Sequence, residues 1–139
     1  MKIKEIMTTD VRAISATDSI SEAANIMKQL DVGAVPVLDN HILVGMITDR
    51  DLVLRAVAEG KNSDERVSTI MTKDITSVTP DMDVHKVADI MASKQIRRVP
   101  IVDNGRLVGI VSIGDMAVED IFENEAGEAL HTISMGVRH

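Results

Sequence analysis

The sequence contains no cysteine. Disulfides, thiolate metal sites and cysteine nucleophiles are therefore excluded. It has no Trp, no Tyr and a single Phe, Phe122. Its core must be aliphatic, and nine Met make that core adaptable. No apolar run approaches the roughly 18 residues of a membrane helix, and no N-terminal signal pattern is present. A cytoplasmic protein without membrane contact is the expectation. Positive charge is scarce: 15 Lys and Arg stand against 22 Asp and Glu, for a net charge of −7. A nucleic-acid-binding surface is basic, so that class is disfavoured, although one local basic pocket for a small anion remains open.

What is present is a folded chain of 139 residues with 45% hydrophobic content. That length suits one ordinary domain or two small units. The strongest signal is internal. Shifting the chain by 64 residues aligns 6–51 with 70–115 without a gap, and 15 of the 46 positions are identical. They include Met7 with Met71, Thr8 with Thr72, Pro36 with Pro100, Gly45 with Gly109 and Asp51 with Asp115. Two copies are too few for a solenoid and predict a pseudo-symmetric pair. The organisation expected is repeat 1 over 1–60, a polar linker over 61–66, repeat 2 over 67–124 and a tail over 125–139 patterned for a short helix.

Each copy carries the same elements. Residues 11–15 and 75–79 are short β-type runs. In the first copy Ser19 and Glu22 form a capping-box pattern, with Ile20, Ala23, Ala24, Met27 and Leu30 on one helical face. In the second copy Asp83 caps a helix whose stripe is Val84, Val87, Ala88 and Met91. Strands over 34–38 and 43–48, and over 98–102 and 107–112, form hairpins. Asn104-Gly105 favours a tight turn. A second helix begins near Asp49 and near Gly114, and Gly60 suits the first one's C-terminal end. Each copy thus reads β-α-β-β-α, an α+β unit.

The chemistry concentrates at two places. Thr48-x-x-Asp51 and Ser112-x-x-Asp115 end an apolar strand and start a helix. One reading is helix capping, each side chain satisfying the other's backbone donor. The other is ribose binding, in which the carboxylate accepts both hydroxyls. The two readings are compatible. Arg97 and Arg98 precede Val99-Pro100, where the first copy has Gly33 and Ala34. Guanidinium forks match phosphate oxygens, while a solvated or salt-bridged pair is the alternative. His41, His85, His131 and His139 lack metal-ligand spacing. No nucleophile elbow or phosphate-binding Gly-rich loop is visible, so an enzyme is not expected.

The duplicated unit, the Val35-Pro36 and Val99-Pro100 steps and the Thr/Ser-x-x-Asp ends together resemble the cystathionine-β-synthase (CBS) domain. Two in tandem resemble a Bateman module: two pseudo-symmetric β-α-β-β-α repeats packed as one body. The resemblance spans about residues 2–122. It implies a regulatory sensor that binds AMP, ADP or ATP between the repeats, without an obligatory cofactor or metal. It also implies a homodimer and an unidentified regulated protein. Asp51, Asp115, Thr48 and Ser112 match the ribose-binding positions, and Arg97 and Arg98, assisted by Arg50, match the phosphate-binding ones. The adenine would lie among Ile75, Val78, Thr79, Pro80, Ile96, Val99 and Pro100. One cleft would join Thr48 and Asp51 to 75–80 and 96–100, and the other would join Ser112 and Asp115 to 11–16 and 32–36. Gly33 and Ala34 supply no charge, so the second cleft is expected to be weak or empty. A ligand-free dimerisation module is the alternative.

Overall fold

The computed structural model describes residues 1–119. The expected tail helix over 125–139 and the end of repeat 2 lie outside the described residues. Packing divides the chain into two units that differ from the sequence repeats: Arg12–Ile75, and Met1–Val11 together with the chain from Thr76 onward. Each lead-in segment therefore packs with the other repeat's strands and helices.

In the 12–75 unit, β1 (Ile14–Ser15) pairs in parallel with β2 (Ala34–Asp39), and β2 pairs antiparallel with β3 (Ile42–Thr48). Helix α1 (Ile20–Leu30) starts at Ser19, whose hydroxyl accepts the Glu22 N–H at 3.1 Å. Ile20, Ala23 and Met27 are buried as the stripe predicts, but Ala24 and Leu30 are exposed and Ile26 is buried instead. The buried face is thus shifted around the helix axis from the expected one. Asn40 and His41 both take positive φ at the β2–β3 turn, so a histidine occupies a backbone position that favours glycine. After β3, α2 (Asp49–Asp51) runs directly into a π-helix over Leu52–Val57. Gly60, at φ +70°, donates its N–H to the Val57 carbonyl.

The second unit repeats the scheme. Helix α3 (Val84–Lys94) is capped by Asp83, and Val84, Val87, Ala88 and Met91 are all buried. Strands β4 (Arg98–Asp103) and β5 (Arg106–Ser112) pair antiparallel, and α4 (Ile113–Val118) follows. Asn104 and Gly105 both take positive φ, as a tight Asn-Gly turn requires. The run over 75–79 is a single bridge rather than a strand. The Val78 N–H reaches the Pro100 carbonyl, the Val102 N–H reaches the Val78 carbonyl, and Pro100 has no N–H to extend the ladder. The run over 11–15 likewise shortens to Ile14–Ser15.

The lead-in segments dock through backbone pairs. Thr72 exchanges two hydrogen bonds with Met46, at 2.8 and 2.9 Å, and Thr8 exchanges two with Ile110, at 2.8 and 3.0 Å. Gly45 and Gly109 make this approach possible. A Cβ on Gly45 would lie 2.8 Å from both the Met71 sulfur and the Thr72 carbonyl oxygen. On Gly109 it would lie 2.6 Å from the Met7 sulfur and 3.0 Å from the Thr8 carbonyl oxygen. Ile3 is fully buried in the core of the second unit beside Val84, Val87 and Met116.

Charge reinforces the N-terminal segment. Lys4 and Lys2 lie 3.1 and 3.4 Å from Asp81, and the α-amino group lies 3.6 Å from Asp83. The hydrogen bond from Lys4, then the charge of Lys2, holds the Asp81 carboxyl below the usual aspartate range. Asp83 is lowered chiefly by the His85 backbone N–H, with a smaller contribution from the α-amino charge.

Two predictions follow from this docking. Gly45→Ala should destabilise the protein by about 1–3 kcal/mol through overpacking against backbone. Gly109→Ala should cost less, because its nearest obstacle is a Met side chain that can swing away. Calorimetric melting of both variants checks this, and an unchanged melting temperature for Gly45→Ala contradicts it. The second prediction concerns acid. A carboxyl with a depressed folded pKa adds stability above its unfolded pKa, and that stability is lost as pH falls through the folded value. Hydrogen-exchange protection at the Ile3 and Val84 amides should therefore fall below about pH 3.8, and D81N should flatten that part of the profile.

Candidate functional site

Thr48 ends β3 and caps α2. Its hydroxyl accepts the Asp51 N–H at 3.0 Å, and Asp51 Oδ2 accepts the Thr48 N–H at 3.0 Å. The capping expectation therefore holds at this position. Asp51 does more than cap. It is 5% exposed and is the one buried charged residue among those described. The Thr72 hydroxyl lies 3.2 Å from both carboxylate oxygens, and Arg55 Nε lies 3.6 Å from Oδ1. Arg55 also donates from one terminal nitrogen to the Met71 and Ile70 carbonyls, at 3.3 and 3.5 Å. The buried charge is thus met from three directions.

Beside this carboxylate is a pocket of about 270 Å³ lined by Thr48, Arg50, Asp51, Leu54, Arg55 and Thr72. Sequence reasoning selected Thr48, Arg50 and Asp51 but missed Arg55 and Thr72. Two signals pointed to them. Thr72 is identical to Thr8 across the duplication, and Arg55 stands four residues after Asp51, where helical side chains meet.

The second unit has the same cap in a different setting. The Ser112 hydroxyl accepts the Asp115 N–H at 3.1 Å, and Asp115 Oδ2 accepts the Ser112 N–H at 2.9 Å. Asp115 is only half-buried. Glu119 occupies the position matching Arg55, and Thr8, which matches Thr72, is exposed. Among the described residues, neither Thr8 nor Arg97 nor Arg98 has a side-chain hydrogen bond or ion pair. Arg98 pairs with Ser112 in the β4–β5 register, and the Arg97 carbonyl accepts the Ile113 N–H at 3.0 Å. Within this unit the two arginines therefore stand at the strand end that carries Ser112.

The expected adenine positions are unequal. Val78 and Val99 belong to the core of the second unit, and Pro100 is buried, so their side chains are committed to packing. Any ligand contact there falls to backbone groups. Thr79 is exposed, and Ile75, Pro80 and Ile96 are half-buried. A second pocket, of about 290 Å³, is lined by Ala13, Ile14, Ser15, Leu38, Asn40 and His41 and contains no carboxylate or guanidinium. Among the described residues, no group of three or more His, Asp or Glu is placed to hold a metal ion. Nor is any described helix long and apolar enough to cross a membrane.

Comparison with known proteins gives a consistent result. The CBS domain family model matches residues 3–57 and 67–120. The CBS domain-containing protein YhcV of Bacillus subtilis is 46% identical over 132 residues, covering 95% of this chain and 94% of that protein. The crystal structure of the CBS-domain containing protein ATU1752 from Agrobacterium tumefaciens superposes with a TM-score of 0.72 at 33% identity, covering 86% of this chain and 99% of that one. The CBS domain pair of protein MJ0100, solved in complex with 5′-methylthioadenosine and S-adenosyl-L-methionine, superposes with a TM-score of 0.73 at 31% identity, covering 86% and 95%. With its two tandem matches, the duplicated α+β architecture and the paired capping motifs, this chain belongs to the CBS domain family.

Proposed function

We propose that the protein is a non-catalytic regulatory module that binds an adenosine nucleotide of the AMP, ADP or ATP type. Asp51 and Asp115, with Thr48 and Ser112, receive ribose hydroxyls. Arg97, Arg98 and Arg50 hold phosphate. One observation carries this reading: a buried carboxylate, two hydroxyls and the guanidiniums of Arg50 and Arg55 line a single pocket of about 270 Å³. A carboxylate accepts a diol, and a guanidinium matches a phosphate. The adenosine compounds bound by the MJ0100 pair support the ligand class. With no Trp or Tyr, the adenine rests on aliphatic side chains and backbone rather than on a large ring. A second copy of the chain is the proposed partner, since Val53, Leu54 and Val57 expose apolar side chains on one helical segment. A regulated protein completes the scheme.

A second reading is favoured by the caps themselves. Both Thr/Ser-x-x-Asp pairs form complete capping boxes, so a purely structural dimerisation module accounts for those residues without a ligand. Melting separates the two readings. AMP at 100 times its Kd should stabilise the fold by about 2.7 kcal/mol, a rise of about 5–10 °C. A melting temperature indifferent to AMP, ADP, ATP and S-adenosylmethionine selects the scaffold. Calorimetric titration tests the arginines. Arg98→Ala should weaken AMP binding by roughly 1.5–3 kcal/mol, as for a lost charged hydrogen bond, while leaving adenosine binding unchanged. Equal AMP affinity in the variant removes Arg98 from the site.

A further inference from the structure

The two candidate ribose acids are not equally available. A carboxylate offers about four lone-pair sites. At Asp51, the Thr48 N–H takes one, and the Thr72 hydroxyl, 3.2 Å from both oxygens, bridges the two that face it, while Arg55 Nε, at 3.6 Å, is an ion-pair neighbour rather than a hydrogen-bond donor. About one site is left. A vicinal diol brings two O–H donors and needs two. At Asp115, by contrast, the Ser112 N–H is the one donor among the described residues.

Of the groups on Asp51, Thr72 is the one able to yield. The Thr48 N–H is fixed by the strand end and by the reciprocal cap. Arg55 is anchored on two carbonyls. The Thr72 hydroxyl is shared between two acceptors, each contact is long for an O–H···O bond, and it can rotate about χ1 without moving the backbone.

We propose that Thr72 is an internal competitor for the ligand at Asp51, a specificity-determining residue whose hydroxyl must leave the carboxylate before a ribose diol can bind there. This rests on the reading above that Asp51 receives ribose. A ligand with one free hydroxyl fits the remaining acceptor site without displacing Thr72. The clasp therefore penalises a ribonucleotide relative to its 2′-deoxy counterpart at Asp51. The matching Thr8 makes no bond to Asp115, so the second acid carries no such penalty.

The test is calorimetric titration of the full chain with AMP and with 2′-deoxy-AMP. Thr72→Val is near-isosteric and removes only the competing donor. It should tighten AMP binding by roughly 2- to 12-fold, the equivalent of one ordinary hydrogen bond, and leave 2′-deoxy-AMP binding unchanged. Thr72→Ser keeps a hydroxyl and should retain the wild-type ratio of the two affinities. Thr8→Val should change neither affinity. If Thr72→Val melts before it can be titrated, Thr72→Ala replaces it with the same expectation. AMP binding with an unchanged AMP to 2′-deoxy-AMP ratio overturns the clasp and leaves the proposed function standing. Binding of AMP to neither wild type nor variant overturns both.

Discussion

Two backbone hydrogen bonds between Thr72 and Met46 are the constraint on which the candidate site depends. They require the lead-in segment to cross β3 closer than any side chain at position 45 permits. Once that crossing is fixed, the rest of the cluster follows. Thr72 is held where its hydroxyl reaches Asp51, and the Ile70 and Met71 carbonyls are presented to Arg55. A glycine in the interior of a strand ordinarily weakens it. Here it is the condition for a contact that joins three elements of one unit. The same device recurs at Gly109, where Thr8 meets Ile110. The identity of these residues across the duplication therefore records a packing requirement.

The duplication preserves this frame and varies what is mounted on it. Both strand ends carry the reciprocal cap, because the exposed donors at a helix start demand one wherever the strand turns into a helix. The charges around the caps diverge. The 12–75 unit has Arg50 and Arg55 where the other has Gly114 and Glu119, and the other has Arg97 and Arg98 where the first has Gly33 and Ala34. Each unit thus brings its own pair of guanidiniums, at different places on the same scaffold. On a chain with net charge −7, Arg97 and Arg98 are a local pair of positive charges that would attract an anion, whereas Arg50 and Arg55 stand beside Asp49 and Asp51.

Much of this was legible in the sequence because it depends on local rules. The repeat, the order of elements, the α3 stripe, the Asn104-Gly105 turn and both caps follow from periodicity, turn chemistry and spacing. The misreadings have physical causes. The α1 stripe differs from the expected one because Ala24 and Ile26 both fit a helical face, and only the neighbouring sheet decides which is buried. The runs over 11–15 and 75–79 have the composition of strands but few partners to pair with. No rule of spacing says that the segments around Ile3 and Val67 pack against the opposite repeat's strands, since chain proximity does not decide which hydrophobic face a lead-in segment joins. Arg55 and Thr72 were missed for the same reason: their significance comes from meeting Asp51, across 21 residues in the case of Thr72.

The unequal acids show how one motif can take two roles through its surroundings. An aspartate buried to 5% exposure must have its charge met, because an unpaired buried carboxylate is costly. At Asp51 that need is served by hydrogen bonds and by a guanidinium that is itself half-exposed, with a side chain 55% accessible. An ion pair so open to water contributes little by itself. The fixed Thr48 N–H is therefore the firmest of the contacts that hold the charge inside, with the longer Thr72 contact and the open ion pair adding to it. Asp115 is half-buried, and among the described residues the Ser112 N–H is its one donor. Any group that takes up two acceptor positions on Asp51 has to displace a protein donor first. The same capping motif is thus closed in by protein donors at one acid and left open at the other.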